Sequence, residues 1–250
     1  MKRNSECGLV FFLKFPQKGN IKTRLAKAIG NTLTLKLYEC FILDMLDKLI
    51  SLQDNNKCDL HISLIPANQI TAMHQWLRQY KELPIPIHPQ EGHDLGERMK
   101  NAFEKIFQMG YQSSALMGTD FPDLPVSVPL DAVEQLKQKN TQAVIAPTTD
   151  GGYYLIGFHR SHFCEAVFNS HEIQWSTNQV FQQTMRIFQQ EGVQVKQLQK
   201  WWDVDDLDDL KDLMHRNINN EFSDSRTMRL LLKHKKEIFS QWEKKGIRKD

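Results

Sequence analysis

Acids in two segments stand where apolar or extended runs end. In LMGTDFPDLP (116–125) an apolar stretch closes at Gly118 and Asp120 follows; in WWDVDDLDDL (201–210) Asp203 and Asp205 alternate along a short extended segment. Carboxylate oxygens in such positions suit a hard divalent cation, Mg2+ or Mn2+, which typically takes one or two carboxylates and completes its shell with phosphate oxygens. The opposite charge lies in KFPQKGNIKTRLA (14–26), where a strand end and a Pro/Gly loop lead into a helix start carrying Lys22, Thr23 and Arg24. Cations at that end oppose the helix dipole. An anion held there by backbone N–H groups and these side chains removes the conflict; a solvated basic first turn is the plain alternative. The loop is not a Walker A loop, because Pro16 and Ile21 occupy the positions of its glycines. One basic loop and two acidic segments together suit a metal–phosphate ligand.

Three further segments carry weaker signals. In GHDLGERM, Gly92 and Gly96 bracket Asp94, and Arg98 falls in the first turn of a helix; a loop with a helix cap is the plain reading. In TTDGGYY, Asp150-Gly151-Gly152 is a strong hairpin turn signal, yet it places an acid at a strand end. Trp175-Ser176-Thr177 reads as a packed Trp beside a cap, with Thr177 opening the helix that Gly192 ends. Each acid also has a structural alternative. Asp120 sits in a turn-forming Asp-Pro cluster, with Asp123 or Ser127 as caps for the next helix. Asp206 suits the cap of the last helix, and Asp208 and Asp209 its positive end, which leaves Asp203 and Asp205 unexplained. His159, His162 and His171 lack a zinc spacing and read as surface residues.

The elements that must position these groups alternate. Strand-type runs at 9–15, 58–66, 113–118, in TQAVIAP, YYLIGF and VQVKQL, and a short extended IPIHPQ, are separated by amphipathic helical stretches. Asn68 is the expected cap of the helix in NQITAMHQWLRQY, and Gly110 the stop of the helix in DLGERMKNAFEKIFQMG. This alternation predicts an α/β fold of three layers, Rossmann-like, with a mostly parallel sheet covered by helices on both faces. The short, nearly all-apolar run before Asp120 predicts a central strand, and in open α/β sheets the ligand crevice lies beyond the carboxyl ends of the strands. Asp120 is placed there.

Composition narrows the classes. With 25% charged and 40% hydrophobic residues and a formal net charge of +2, the chain has an ordinary globular balance and no field that argues for nucleic acid. The scattered Cys7, Cys40, Cys58 and Cys164 form no C-x-x-C pair and read as reduced thiols in a cytoplasm. The apolar run Leu9–Leu13 is broken by Lys14, too short for a signal peptide, and no run approaches the ~20 apolar residues of an integral membrane segment. From Arg226 onward a strongly basic stretch meets only Glu237, Glu243 and Asp250. We expect a domain over 1–220 and a basic helical appendage over 221–250. Leu230, Leu231, Ile238, Phe239 and Trp242 are its apolar contacts; packing with exposed lysines is the expectation, and attraction to an anionic membrane surface the alternative.

Taken in order, KFPQKGNIKTRLA, GHDLGERM, GTDFPDLP, DGGYYLIGF, WST and DVDDLDDL resemble the motifs of an uncharacterised transferase family. It has a GT-A-type nucleotide-diphospho-sugar transferase fold and is known as a domain of unknown function and as radical-SAM/selenodomain-associated transferase 1. The wider fold includes the molybdenum-cofactor and phospholactate guanylyltransferases. The resemblance spans about Leu9 to Leu213. It implies phosphate contacts from Lys14, Gly19, Lys22, Thr23 and Arg24, with Gly96 and Arg98 alongside, and a metal on Asp120 and Asp205. It places Asp150, Gly151, Gly152, Tyr153, Trp175 and Thr177 on the sugar or acceptor side, with Asp120, Asp150 and Lys22 as catalytic candidates. The family's closing motif has Thr-Pro where this chain has Asp206-Leu207.

These implications give a metal-dependent glycosyltransferase using a nucleotide-sugar and an unidentified small-molecule or lipid-linked acceptor. The alternatives are a nucleotidyltransferase, in which a substrate phosphate attacks an NTP and pyrophosphate leaves, and a non-catalytic nucleotide-binding protein. The first loop has only Gly19, whereas nucleotidyltransferases tend to be glycine-rich there, which favours the first reading.

Overall fold

A computed structural model describes residues 4–80, 85–169, 171 and 173–238. Seven strands carry the fold: β1 Cys7–Lys14, β2 Asp59–Ile65, β3 Ile87–Pro89, β4 Ser113–Met117, β5 Ala143–Pro147, β6 Tyr153–His159 and β7 Val195–Gln197. They form one sheet in the order β3-β2-β1-β4-β6-β5-β7. β6 runs antiparallel to β4 and β5, while all other pairs are parallel. β4 is the middle strand and every residue in it is buried; Ala115, Leu116 and Met117 are its apolar part, and the buried Ser114 hydroxyl is satisfied by donating to Gly8 O at 2.9 Å. The β5–β6 pair is the hairpin that Asp150-Gly151-Gly152 announces.

The helices are α1 Thr23–Ile29, α2 Asn31–Asp54, α3 Ile70–Arg78, α4 Leu95–Gln108, α5 Ser127–Leu136, α6 Ala166–Asn169, α7 Val180–Gln190, α8 Leu207–Arg216 and α9 Arg226–Lys233. Val10, Leu116, Ile145 and Ile156 turn one sheet face toward Phe103 of α4, Phe168 of α6 and Phe188 of α7. Phe103 meets Phe158 edge-on, with centroids 5.1 Å apart, a favoured aromatic geometry. The opposite face receives α5, whose Leu136 lies over Gly157. Helices therefore cover both faces, as expected. Among the described residues no helix is long and apolar enough to cross a membrane.

The chain divides into two compact units. The first falls in Met1–Phe15, Lys48–Thr119 and Pro125–Trp202 and contains the sheet. The second falls in Pro16–Asp47, Asp120–Leu124 and Asp203–Asp250. Its core joins Leu25, Leu37 and Phe41 to Val204, to Leu210 and Leu213 of α8, and to Met228, Leu231 and Ile238. Two buried acids tie its segments together. Asp123 accepts from Arg216 Nε (2.7 Å) and Asn217 Nδ2 (2.8 Å). Asp44 accepts from the backbone N–H groups of Arg226 (3.1 Å) and Thr227 (2.9 Å) at the start of α9, where the helix dipole favours an anion. Leu231 and Ile238 pack in this core, with Leu230 partly buried against it; Phe239 and Trp242 lie outside the described residues.

Some local expectations are corrected. Asn68 does not cap α3: the chain makes a 3-10 turn over Ala67–Gln69 and the helix opens without a side-chain cap. Thr177 sits before Gln179, the residue that precedes α7, and its hydroxyl donates to Gln174 O at 2.7 Å. Neither Asp123 nor Ser127 caps α5, since Asp123 is taken by Arg216. Asp206 does cap α8, and Gly110 follows α4 in the left-handed conformation (φ 94°). All four cysteines are free thiols. Burial pushes Cys7 up to about 11 and Cys40 up to about 12, and raises Cys58 and Cys164 as well.

Candidate functional site

The loop after β1 passes Gly19 (φ 86°) and reaches Lys22, which adopts a left-handed backbone (φ 42°, ψ 53°) immediately before α1. Only Asn56 and Ser176 join Lys22 as non-glycine residues with positive φ among the described residues. That conformation costs an L-residue roughly 1 kcal/mol or more. It accompanies a side chain that is 5% exposed and whose Nζ lies 2.6 Å from Asp120 Oδ1 and 2.7 Å from Asp205 Oδ1. Burial works against the ammonium charge, but the two carboxylates outweigh it and hold the Lys22 pKa above its ordinary value.

Both acids have fixed backbones. The Asp120 carbonyl accepts from Val204 N at 3.0 Å. Asp205 directly precedes the cap of α8, and its N–H donates to Asp209 Oδ2 at 2.9 Å. Asp209 also accepts from Asp206 N at 3.0 Å, while Asp206 Oδ1 accepts from Asp208 N and Asp209 N. This reciprocal box satisfies the first N–H groups of α8. Burial raises the Asp209 carboxyl above its usual range despite the two N–H donors. Sequence reasoning gave Asp209 only a dipole role; the S/T/D-x-x-D/E spacing from Asp206 was the available signal.

The donors fit a hard divalent cation. Two carboxylates from distant segments converge on one point while remaining 38% and 41% exposed, so both stay open to solvent. Among the described residues no group of three or more His, Cys, Asp or Glu gathers for a metal; a cation here would complete its shell with water or phosphate oxygens, the usual Mg2+ arrangement. Thr23 and Arg24 are exposed on the first turn of α1.

The remaining predicted residues belong to the sheet unit. Lys14 ends β1 and is exposed. Arg98 donates through Nε to Gly92 O at 3.1 Å and through Nη2 to His93 O at 3.4 Å, bracing its own loop, and Asp94 caps α4 through Glu97 N at 2.8 Å. A Cβ at Gly96 would strike the Phe168 carbonyl and the Trp175 indole, and one at Gly151 would strike the Asn178 backbone. Close packing thus accounts for both glycines and sets GHDLGERM against the Trp of WST and DGGYY against Asn178, the residue after WST. The Asp150 carboxylate accepts from Thr148 Oγ1 and from Gly152 N, stabilising the hairpin turn. The Tyr153 hydroxyl lies 3.9 Å from the Met99 sulfur, and burial raises its pKa.

One polar group in the sheet unit was missed. Tyr111 donates its hydroxyl proton to Asp59 (3.0 Å), so its oxygen receives from His61 Nε2 (3.0 Å), and His61 Nδ1 then receives from His88 Nε2 (3.2 Å). Burial, reinforced by His88, pushes His61 down to about 4. A cavity of ≈ 70 Å3 beside this chain is lined by Ser63, His88, Asn101 and Lys105 among others. The alternating Asp59, His61 and Ser63 of β2 were the available sequence signal.

The family described as "Uncharacterized protein conserved in bacteria (DUF2064)" matches residues 48–177. The chain belongs to this family. A structure from Desulfovibrio desulfuricans G20, named as a candidate nucleotide-diphospho-sugar transferase, is 38% identical to this DUF2064 protein, with a TM-score of 0.87 over 95% of this chain and 98% of that one. A cytidylyltransferase from Leptospira borgpetersenii shares the fold at 12% identity, with a TM-score of 0.55 over 94% and 97% of the two chains. The 4-diphosphocytidyl-2C-methyl-D-erythritol synthase of Anaerococcus prevotii does so at 11% identity, with a TM-score of 0.53 over 82% and 95%. No curated protein matches the chain.

Proposed function

We propose that this DUF2064 protein is a transferase that binds a nucleotide diphosphate donor, and that the donor is a nucleotide-sugar. The carrying observation is the convergence of Asp120 and Asp205 on the buried Lys22 ammonium at the start of α1. The likeness to the Desulfovibrio protein supports the substrate class, and the single glycine of the first loop favours glycosyl over nucleotidyl transfer.

In this reading Asp120 and Asp205 hold Mg2+ or Mn2+, which when bound neutralises charge on the departing diphosphate. Lys22 and Arg24 supply cationic contacts to the diphosphate oxygens, with Thr23 and the backbone around Gly19 beside them. Asp209 fixes the backbone of Asp205, so that its carboxylate need not reorganise as charge develops. Lys14, Gly96 and Arg98 as phosphate contacts, and Asp150, Gly151, Gly152, Tyr153, Trp175 and Thr177 as the sugar or acceptor side, belong to the same proposal. The acceptor is a small molecule or a lipid-linked group, and the cytoplasm is the proposed compartment.

A thermal-shift screen of NTPs and nucleotide-sugars, with and without Mn2+, tests this. A ligand at about 100 times its Kd adds ~2.7 kcal/mol, a rise of roughly 5–10 °C for a chain of this size. The expected hit is a nucleotide-sugar whose shift requires Mn2+ and disappears in Asp120→Asn. Turnover that releases a nucleoside diphosphate supports glycosyl transfer; release of pyrophosphate from an NTP assigns the chain to nucleotidyl transfer instead. No Mn2+-dependent shift with any nucleotide overturns the proposal.

A further inference from the structure

Resting on that reading, we infer that Lys22 is a built-in substitute for the divalent cation, so that the site takes the metal–diphosphate complex rather than the bare metal. The ammonium sits 2.6 and 2.7 Å from one oxygen of each carboxylate. A divalent cation held by the same two oxygens would need the space the ammonium fills, since its bonds to oxygen are shorter still, about 2.0–2.1 Å for Mg2+. Lysine and metal therefore exclude each other at this point. The lysine is held there by more than charge: its stem is buried, and its backbone lies in the left-handed region that orders the start of α1.

The consequence is an exchange of counter-ions. With no anion nearby, a metal entering between Asp120 and Asp205 must expel a buried, doubly paired ammonium and leave it without a partner, and burying an unpaired charge is costly. A diphosphate changes that balance, because it offers the displaced ammonium new anionic oxygens while it coordinates the metal. Each ligand thereby removes the obstacle to the other. That is positive coupling between metal and diphosphate, reciprocal by thermodynamic necessity. Asp120 and Asp205 without Lys22 form a plain two-carboxylate metal site; with Lys22 they discriminate against free metal. The lysine thus determines which form of the ligand binds, in addition to contacting it.

Mn2+ binding measured directly, by the paramagnetic resonance signal of the free ion, tests the inference without any turnover assay. The proteins are wild type, Lys22→Met, Asp120→Asn and the Lys22→Met/Asp120→Asn pair, each shown folded by circular dichroism. Lys22→Met is expected to bind Mn2+ at least about tenfold more tightly than wild type, within the usual span of site coupling, and the gain is expected to vanish in the double variant. Inorganic pyrophosphate is expected to tighten Mn2+ binding to wild type by a similar factor and to have a smaller effect on Lys22→Met. Equal or weaker Mn2+ binding by Lys22→Met, with Asp120→Asn still abolishing it, overturns the inference and leaves the metal-site reading standing. Mn2+ binding that is indifferent to Asp120→Asn in both backgrounds overturns the two together. If Lys22→Met does not fold, Lys22→Gln replaces it; if neither folds, the wild-type response decides. Absence of pyrophosphate-dependent tightening there overturns the inference.

Discussion

The two units of this protein are held by different physics. The sheet unit is assembled around stacked apolar faces, with Phe103, Phe158 and Phe188 fully buried and the polar chain from Asp59 to His88 kept neutral at its imidazoles. The second unit is assembled from three separated stretches of chain, and although it has its own apolar core, its segments are tied by charge: Asp123 to Arg216, Asp44 to the start of α9, and Lys22 to Asp120 and Asp205. A buried ion pair seldom stabilises more than an apolar contact of the same volume. What it adds is specificity of position, and in this unit the positions being specified are those of the two candidate metal ligands.

The largest test of that contrast is Asp123→Ala. It leaves Arg216 and Asn217 without their buried acceptor, and loss of one partner of a buried pair costs about 3–5 kcal/mol. Hydrogen exchange should show protection falling first in α8 and α9. Equal loss across β4 would mean that the two units open as one, and the contrast would fail. The sheet unit gives the next effect, through pH. His61 is held near 4 when folded, against 6.5 as the ordinary value, so between these values the unfolded chain binds the extra proton. Stability is then complete above about pH 6.5 and declines as pH falls toward 4, by on the order of 3 kcal/mol from this group. Urea unfolding at pH 7 and at pH 4.5 should show the drop, with a smaller one in His61→Gln; an unchanged drop would place the titration elsewhere. The smallest effect is expected from Asp209→Ala, which removes one half of the α8 capping box at a cost of about 1 kcal/mol. It sharpens the comparison because Asp205 should lose Mn2+–diphosphate affinity by more than the stability change implies, with partial recovery in Asp209→Asn, which keeps an acceptor oxygen.

The same contrast governs what the sequence discloses. Strands such as CGLVFFLK and SSALM announce themselves by short, mostly apolar runs, and the DGG turn between β5 and β6 by residue type, because each depends on neighbours along the chain. The convergence of Lys22, Asp120 and Asp205 depends on residues that lie 183 positions apart at the extreme. Sequence reasoning reached these three through position at strand and helix ends, and through family resemblance, but it assigned Lys22 to phosphate and the acids to metal without foreseeing that they would pair with one another. Asn68 and Thr177 show the opposite failure. Both are good cap residues by type, yet each helix begins later, after a turn that local propensity does not encode. Asp123, one of two candidate caps for α5 by residue type, is a long-range anchor, since nothing local in FPDLP points to Arg216.

The four free thiols give this molecule a property of practical use. Cys7, Cys58 and Cys164 belong to the sheet unit and Cys40 to the other, and burial suppresses the thiolate in each of them. Since the thiolate is the nucleophile, alkylation by iodoacetamide at the buried Cys7, Cys58 and Cys164 must wait for the surrounding chain to open, whereas the partly exposed Cys40 is slowed only by its raised pKa. Reaction at Cys40 therefore serves as the reference, and reaction at the other three, followed by peptide mass analysis after timed quenching, reads the opening of the sheet unit without any engineered label.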